Sequence, residues 1–145
     1  FIVTLRPMML DDLGLLPTMR RYIENFEKRT GISASLTAAS QERRYPTHTE
    51  VTVFRVVQEV LNNVEQHAHA SHVRVALDLQ ETQVIAIVED DGSGFDVTNA
   101  LAMARQRKTL GLIDMQERAE LLGGTFQVES NVGRGTRVRL VLPAS

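Results

Sequence analysis

The stretch QVIAIVEDDGSGF (residues 83–95) runs an apolar segment, Val84-Ile85-Ala86-Ile87-Val88, into an acidic turn carrying two glycines. The apolar part is rich in β-branched side chains, so it reads as a buried strand. Asp90-Asp91-Gly92-Ser93-Gly94-Phe95 ends it, and Asp-Gly is a common turn pair. By itself this is an ordinary strand-ending turn. It also has a chemical capacity: an Asp at a strand end accepts from an exocyclic amine. Gly92 and Gly94 let backbone approach a flat ring closely.

Working outward, Val73, Val75, Leu77 and Leu79 alternate with polar residues, which predicts a strand over 72–79. The short link Gln80–Gln83 makes it one arm of a hairpin with 83–90. Downstream, residues 97–105 are weakly helical and Leu112–Leu122 is a clearer helix closed by Gly123-Gly124. Strands at 125–130 and 136–142 follow, joined by the glycine-bearing turn Asn131–Gly135.

Upstream, Val53, Val57, Val60, Leu61, Val64 and Ala68 form the buried side of a long helix. It is expected to begin at a Thr47 or Thr49 cap with Glu50 near its positive end, and to run to about His69. Residues 32–39 alternate as a strand, and Gln41–Thr47 is a polar connection. Residues 8–30 form a helix with the stripe Leu15, Met19, Ile23, Phe26, started by Pro7 and stopped by Gly31. Pro17 does not suit a helix interior, so a kink is expected near Leu13–Pro17, softened by Gly14. Strands in one sheet with helices on one face define a two-layer α/β sandwich, preceded by a helix.

The 145 residues fit one domain with a helical extension. The formal charge of −2 disfavours a strongly basic nucleic-acid binder. There is no cysteine, which excludes disulfides, thiol catalysis and Cys-ligated metals. No apolar run approaches the ~20 residues needed to span a bilayer. The chain opens on Phe1 without a signal-peptide pattern, which reads as a piece of a longer protein.

Three further constellations stand beside the acidic turn. Arg55, Glu59, Asn62, Asn63 and Gln66 share one face of the long helix, because their spacings are three, four and seven. A solvated face is the plain reading. Two adjacent Asn weaken it, since Asn is a mediocre helix former. An Asn and a Glu one turn apart can hold a hydrated divalent cation and orient a proton acceptor; magnesium needs few protein oxygens and shares the rest with water and phosphates. Gly111-Leu112 opens a helix, whose free N–H groups suit anions. Ser130-Asn131-Val132-Gly133-Arg134-Gly135-Thr136 reads as a glycine-rich turn. His67, His69 and His72 lack the carboxylate spacing of a zinc site.

The order of these signals resembles one family. Glu59-x-x-x-Asn63, Asp90-x-Gly92-x-Gly94-Phe95, Gly111-Leu112 and Gly133-x-Gly135-Thr136 look like the ATP-binding domain of sensor histidine kinases. That domain belongs to the superfamily (Bergerat, or GHKL) shared with gyrase, the Hsp90 chaperones and the MutL mismatch-repair proteins. Leu5-Arg6-Pro7 with Leu10-Asp11-Asp12-Leu13-Gly14-Leu15, the segment Phe54–Val64, His67-Ala68 and Gly111–Ala119 with Leu122-Gly123-Gly124 resemble the nitrate/nitrite-sensor subgroup.

The resemblance implies a mixed, mostly antiparallel sheet, and ATP and Mg²⁺ as cofactors. Asn63 would hold Mg²⁺ against the phosphates. Glu59 would be the general base or the group orienting the phosphoacceptor histidine. Asp90 would accept from the adenine amine, supported by Thr136. Gly92 and Gly94 would shape the adenine site, Gly111 and Leu112 would present backbone near the phosphates, and His67 would line that side.

Arg107-Lys108-Thr109-Leu110-Gly111-Leu112 departs from the family's Gly-x-Gly-Leu-Gly-Leu, and Gln66 stands where Lys is common. Arg105, Arg107 or Lys108 is expected to supply the compensating phosphate contact. Residues 1–30 are read as the remnant of a dimerisation helix and 31–145 as the ATP-binding domain.

The implied partners are the protein's own dimerisation and phosphoacceptor domain, a second copy in the full-length protein, and a response regulator with a helix-turn-helix output; direct nucleic-acid binding is not implied. The location would be the cytoplasmic side of a membrane-anchored sensor. The family's phosphoacceptor lies upstream of this segment. His48, His67, His69 and His72 all fall in the ATP-binding region, so this chain is expected to bind ATP/Mg²⁺ without phosphorylating itself. Two rivals remain: an anti-sigma-factor-type serine kinase, which lacks the Leu-Arg-Pro…Leu-Asp-Asp-Leu-Gly-Leu opening, and a non-catalytic ATP-sensing module with an altered lid.

Overall fold

A computed structural model describes residues 8–39, 42–93, 112–130 and 132–144; within them, the side chains of Met8, Met9, His67, Ala68 and Leu112 are outside the description. Its strands are β1 (Ser33–Ala39), β2 (His72–Leu79), β3 (Gln83–Asp90), β4 (Thr125–Ser130) and β5 (Thr136–Pro143). They form one sheet in the order β1-β2-β3-β5-β4. β1 runs parallel to β2, and every other pairing is antiparallel. This is the mixed, mostly antiparallel sheet expected from the resemblance.

The period of two decides which way each strand faces. Val73, Val75, Leu77 and Leu79 of β2, Val84, Ala86 and Val88 of β3, and Val138, Leu140 and Leu142 of β5 are all buried on one face. The opposite face carries a charged row, because Arg74 pairs in register with Glu89, Glu89 with Arg137 and Arg137 with Glu129. Among the described residues, the helices cover the apolar face. They are α1 (Met8–Leu13), α2 (Leu15–Thr30), α3 (Thr47–Asn63) and α4 (Leu112–Leu121). A π-helical turn, Val64–Ala68, continues α3.

The stripe on α3 is buried as its spacing requires, with Val53, Val57, Val60, Leu61 and Val64 at 5% exposure or less. Ala68 lies outside the described side chains. The cap differs from expectation. Pro46 occupies the N-cap with no side-chain bond, and its carbonyl accepts from the Thr49 and Glu50 N–H groups. Thr49 is unavailable as a cap because it lies inside the first turn and is buried.

The helix expected over 8–30 is two helices, broken at Gly14 with φ of 89°. That left-handed conformation suits glycine. A side chain there would also collide with Arg44, which lies across the break. The restart at Leu15 resolves the conflict over Pro17. It sits in the first turn of α2, where a missing N–H removes no intrahelical bond. Leu15, Leu16, Met19, Ile23 and Phe26 all enter the same hydrophobic cluster as α3 and the sheet. Packing is therefore continuous between α2 and the rest of the fold.

One ion pair fastens this arrangement. Glu50 is 2% exposed. Arg44 donates to both of its carboxylate oxygens at 3.0 and 3.2 Å, and the Tyr45 N–H donates at 3.2 Å. The same guanidinium donates to the Asp11 carbonyl at 3.0 Å, satisfying an orphan acceptor at the end of α1. The edge strand β1 is guarded too: the Glu27 carboxylate accepts from the Ala34 N–H at 2.7 Å.

Because Met19 is 0% exposed, Met19→Ala is expected to cost about 2–5 kcal/mol, as for any fully buried large side chain. Urea denaturation measures it. A midpoint shift matching that of Leu61→Ala on α3 is expected; an unchanged midpoint would show that α2 is an appendage.

Candidate functional site

The acidic turn and the glycine-rich turn meet at the ends of β3 and β5. In the β3–β5 ladder, Asp90 pairs with Thr136. The Asp90 Oδ1 accepts from the Gly92 N–H at 2.8 Å, and the Thr136 backbone also donates to this carboxylate. Gly135, at φ of 80°, packs directly on the Asp90 carbonyl, and any Cβ there would overlap it. Gly133 donates its N–H to the Ser93 carbonyl. Thr136 and Ser130 share a hydroxyl bond at 2.8 Å. The two motifs, some forty residues apart in sequence, thus form one surface.

Asp90 is half-buried on the helix-facing side of β3. Burial pushes its carboxyl above its ordinary value, Asp91 adds to the rise, and the backbone donors oppose it. A part-desolvated acceptor at a strand end, with glycine backbone around it, fits a planar donor such as an aminopurine.

Asp91 does other work. Its Oδ1 accepts from the Ser71 and His72 N–H groups at 2.8 and 2.9 Å, and its Oδ2 meets His72 Nδ1 at 3.0 Å. These donors, the His72 N–H foremost, lower its pKa to about 2. It ties the start of β2 to the end of β3 and so steadies the turn carrying Asp90. Sequence reading did not single Asp91 out; the only signal was the doubled Asp.

The polar side of the site rests on α3. Glu59 and Asn63 are half-buried there, while Asn62 and Gln66 are exposed. Gln66 Nε2 contacts Asn62 Oδ1 at 3.5 Å, a solvent-facing pair. Asn63 is the last α-helical residue before the π turn, which His69 closes at φ of 51°. An isolated π turn is uncommon and recurs at functional positions. Among the described residues there is no cluster of three or more metal-ligating His or acidic side chains. A single amide oxygen from Asn63 fits a magnesium ion that takes its other ligands from phosphates and water.

The structure therefore places Asp90, Gly92 and Thr136 together, and places Glu59 and Asn63 one turn apart on α3. Gly94, Arg105, Arg107, Lys108 and Gly111 lie outside the described residues, as does the helix expected at 97–105. For His67 and Leu112 only the backbone is described.

A mixed sheet covered on one face by helices, with an Asn-bearing helix packed on the sheet that carries the Asp-Gly turn, defines an ATP-binding fold of the histidine kinase type. Residues 48–145 match the family described as histidine kinase-, DNA gyrase B- and HSP90-like ATPase. The chain belongs to this family. It is 38% identical over 142 residues to the signal transduction histidine-protein kinase/phosphatase DegS of Brevibacillus brevis, covering 98% of this chain and 36% of that protein. It is 41% identical over 141 residues to the oxygen sensor histidine kinase NreB of Staphylococcus carnosus, covering 97% of this chain and 40% of that protein.

The chain thus spans about two fifths of the length of these relatives. The fold matches the blue-light activated histidine kinase of Erythrobacter litoralis with a TM-score of 0.71 at 24% identity, over 90% of this chain and 42% of that one. Within the family, the chain is homologous to the ATP-binding domains of histidine kinases. No helix among the described residues is long and apolar enough to cross a membrane.

The Asp91 clasp sets a pH dependence. Its carboxylate is held at about 2 in the folded chain against 3.8 free. The stability it contributes is complete above about pH 4 and lost as pH falls toward 2. Thermal melts of Asp91→Ala are expected to lie below those of the parent at neutral pH, with the gap closing across that window. A gap independent of pH would rule out the charged clasp.

Proposed function

We propose that this chain is the ATP/Mg²⁺-binding catalytic domain of a sensor histidine kinase, delivering the ATP γ-phosphoryl group to a histidine outside residues 1–145. The observation that carries this reading is the convergence of Asp90, Gly92, Gly135 and Thr136 at one strand end, with Asn63 and Glu59 on the helix over the same sheet.

Asp90 accepts from the adenine amine, and Thr136 steadies it through backbone donation and the Ser130 hydroxyl pair. Gly92 and Gly135 keep that end free of side chains. Asn63 presents an amide oxygen for Mg²⁺, which neutralises phosphate charge when bound. Glu59 takes the acceptor's proton or orients the acceptor ring. His67, Gly94, Lys108, Gly111 and Leu112 are assigned to the phosphate side and lid on the family's pattern. Transfer then needs positioning and charge neutralisation more than covalent work by the protein.

In the whole protein the activity is that of an ATP-dependent protein-histidine kinase. Its partners are its own dimerisation and phosphoacceptor domain, a second copy, and a helix-turn-helix response regulator. We assign residues 1–30 to the end of the dimerisation region and 31–145 to the catalytic domain. A membrane-anchored sensor with this domain on the cytoplasmic side fits the reading.

Titration calorimetry with ATP and Mg²⁺ tests it. Asp90→Ala removes a hydrogen bond to a charged acceptor, so a roughly 10- to 100-fold loss of ATP affinity is expected. Asn63→Ala is expected to abolish the strengthening of ATP binding by Mg²⁺. ATP affinity should also fall on acidification, and at a higher pH than for an unperturbed aspartate, because Asp90 must be ionised to accept and its pKa is raised. With radiolabelled ATP, the 145-residue chain alone should stay unlabelled and should label an added phosphoacceptor helix. Stable labelling of the chain itself would refute the assignment.

A further inference from the structure

The π turn that follows Asn63 is held from outside its own helix. Glu65 is its second residue. One guanidinium nitrogen of Arg29, in the last turn of α2, donates to both Glu65 oxygens at 2.7 and 2.9 Å. Arg29 is itself oriented, because its guanidinium carbon lies 5.7 Å from the centre of the buried Phe26 ring. One face of α2 follows α3 toward this point. Tyr22 meets Phe54 edge-on at 5.4 Å, and its hydroxyl bonds the Gln58 side chain beside Glu59. α2 is therefore fastened at Tyr22 to Gln58, next to Glu59, and at Arg29 to Glu65, two residues beyond Asn63.

An exposed ion pair contributes little to global stability. The Arg29 and Glu65 side chains are 56% and 33% exposed, so the pair is poorly placed to serve the core. Its place in the chain gives it another role. A π turn holds one residue more than an α turn, and converting one to the other rotates everything around it. Whatever fixes Glu65 fixes how the turn leaves Asn63.

We propose that Arg29 and Glu65 are positioning residues for the phosphate end of the nucleotide site: the pair locks the π turn, and so couples the placement of α2 to the way Asn63 meets Mg²⁺ and the phosphates. The proposal rests on the reading of α3 as the nucleotide-binding helix. Asp90, on β3, lies beyond the reach of this coupling. The adenine end should be unaffected.

The test is a charge swap in the 145-residue chain, with Arg29→Glu, Glu65→Arg and the double variant. Calorimetry measures ATP affinity with and without Mg²⁺, ADP affinity without Mg²⁺, and melting temperature is followed in parallel. Each single variant is expected to weaken Mg²⁺-ATP binding about three- to five-fold, the order that one exposed ion pair supports. The factor by which Mg²⁺ strengthens ATP binding should shrink, while Mg²⁺-free ADP binding and melting temperature stay near the parent values. The double variant should recover Mg²⁺-ATP binding.

Unchanged Mg²⁺-ATP affinity in both single variants overturns the proposal. So does a loss that follows melting temperature or that the swap fails to restore. If the parent chain binds no ATP, the nucleotide-site reading fails first and takes this proposal with it.

Discussion

A carboxylate as buried as that of Glu50 is stable only when its charge is met and its lone pairs are filled. Arg44 and the Tyr45 N–H meet both needs. The consequence reaches beyond one pair, because Arg44 also crosses the Gly14 break and holds a carbonyl at the end of α1. Two regions remote in sequence, the α1–α2 break and the entry to α3, are fixed by one guanidinium. The start of α3 is thereby set against the core, and Asn63 stands at its far end. The residues proposed to meet magnesium thus share a helix with this anchor.

The site divides into a rigid part and a jointed part. The Asp90 end is built from sheet hydrogen bonds, a glycine that admits no side chain, and the Asp91 clasp. Such a surface changes little when a ligand arrives. The Asn63 end is a helix terminus passing into a π turn, closed by a left-handed His69. One of the contacts that fix its geometry comes from another helix.

Much of this was legible in the residues. Period-two alternation located β1 and β2 almost to the residue, the β-branched apolar run located β3, and the three- and four-residue stripe located the buried face of α3. Each turn alone reads as ordinary, and Asp90, Gly92 and Thr136 became legible as candidates through the order in which their motifs follow one another along the chain. Other features were not. Pro17 pointed to a kink in one helix, whereas the chain begins a second helix at Leu15 and uses Pro17 in its first turn. The Thr cap failed because helix entry was settled by Pro46 and by the burial of Thr49. Propensity describes one residue and its neighbours, and these outcomes depended on groups far along the chain.

The sequence by itself determined the strands, the helices, the faces they bury and the residue types able to meet adenine, magnesium and phosphate. Each follows from short-range periodicity or side-chain chemistry. Only the tertiary structure decided which distant groups meet: Arg44 with Glu50, Asp91 with the start of β2, Gly135 on the Asp90 carbonyl, Arg29 with Glu65. Those pairings are set by strand order and by the angle at which α2 lies along α3. Both arise from packing one shared core, a property of the whole chain that no local window contains.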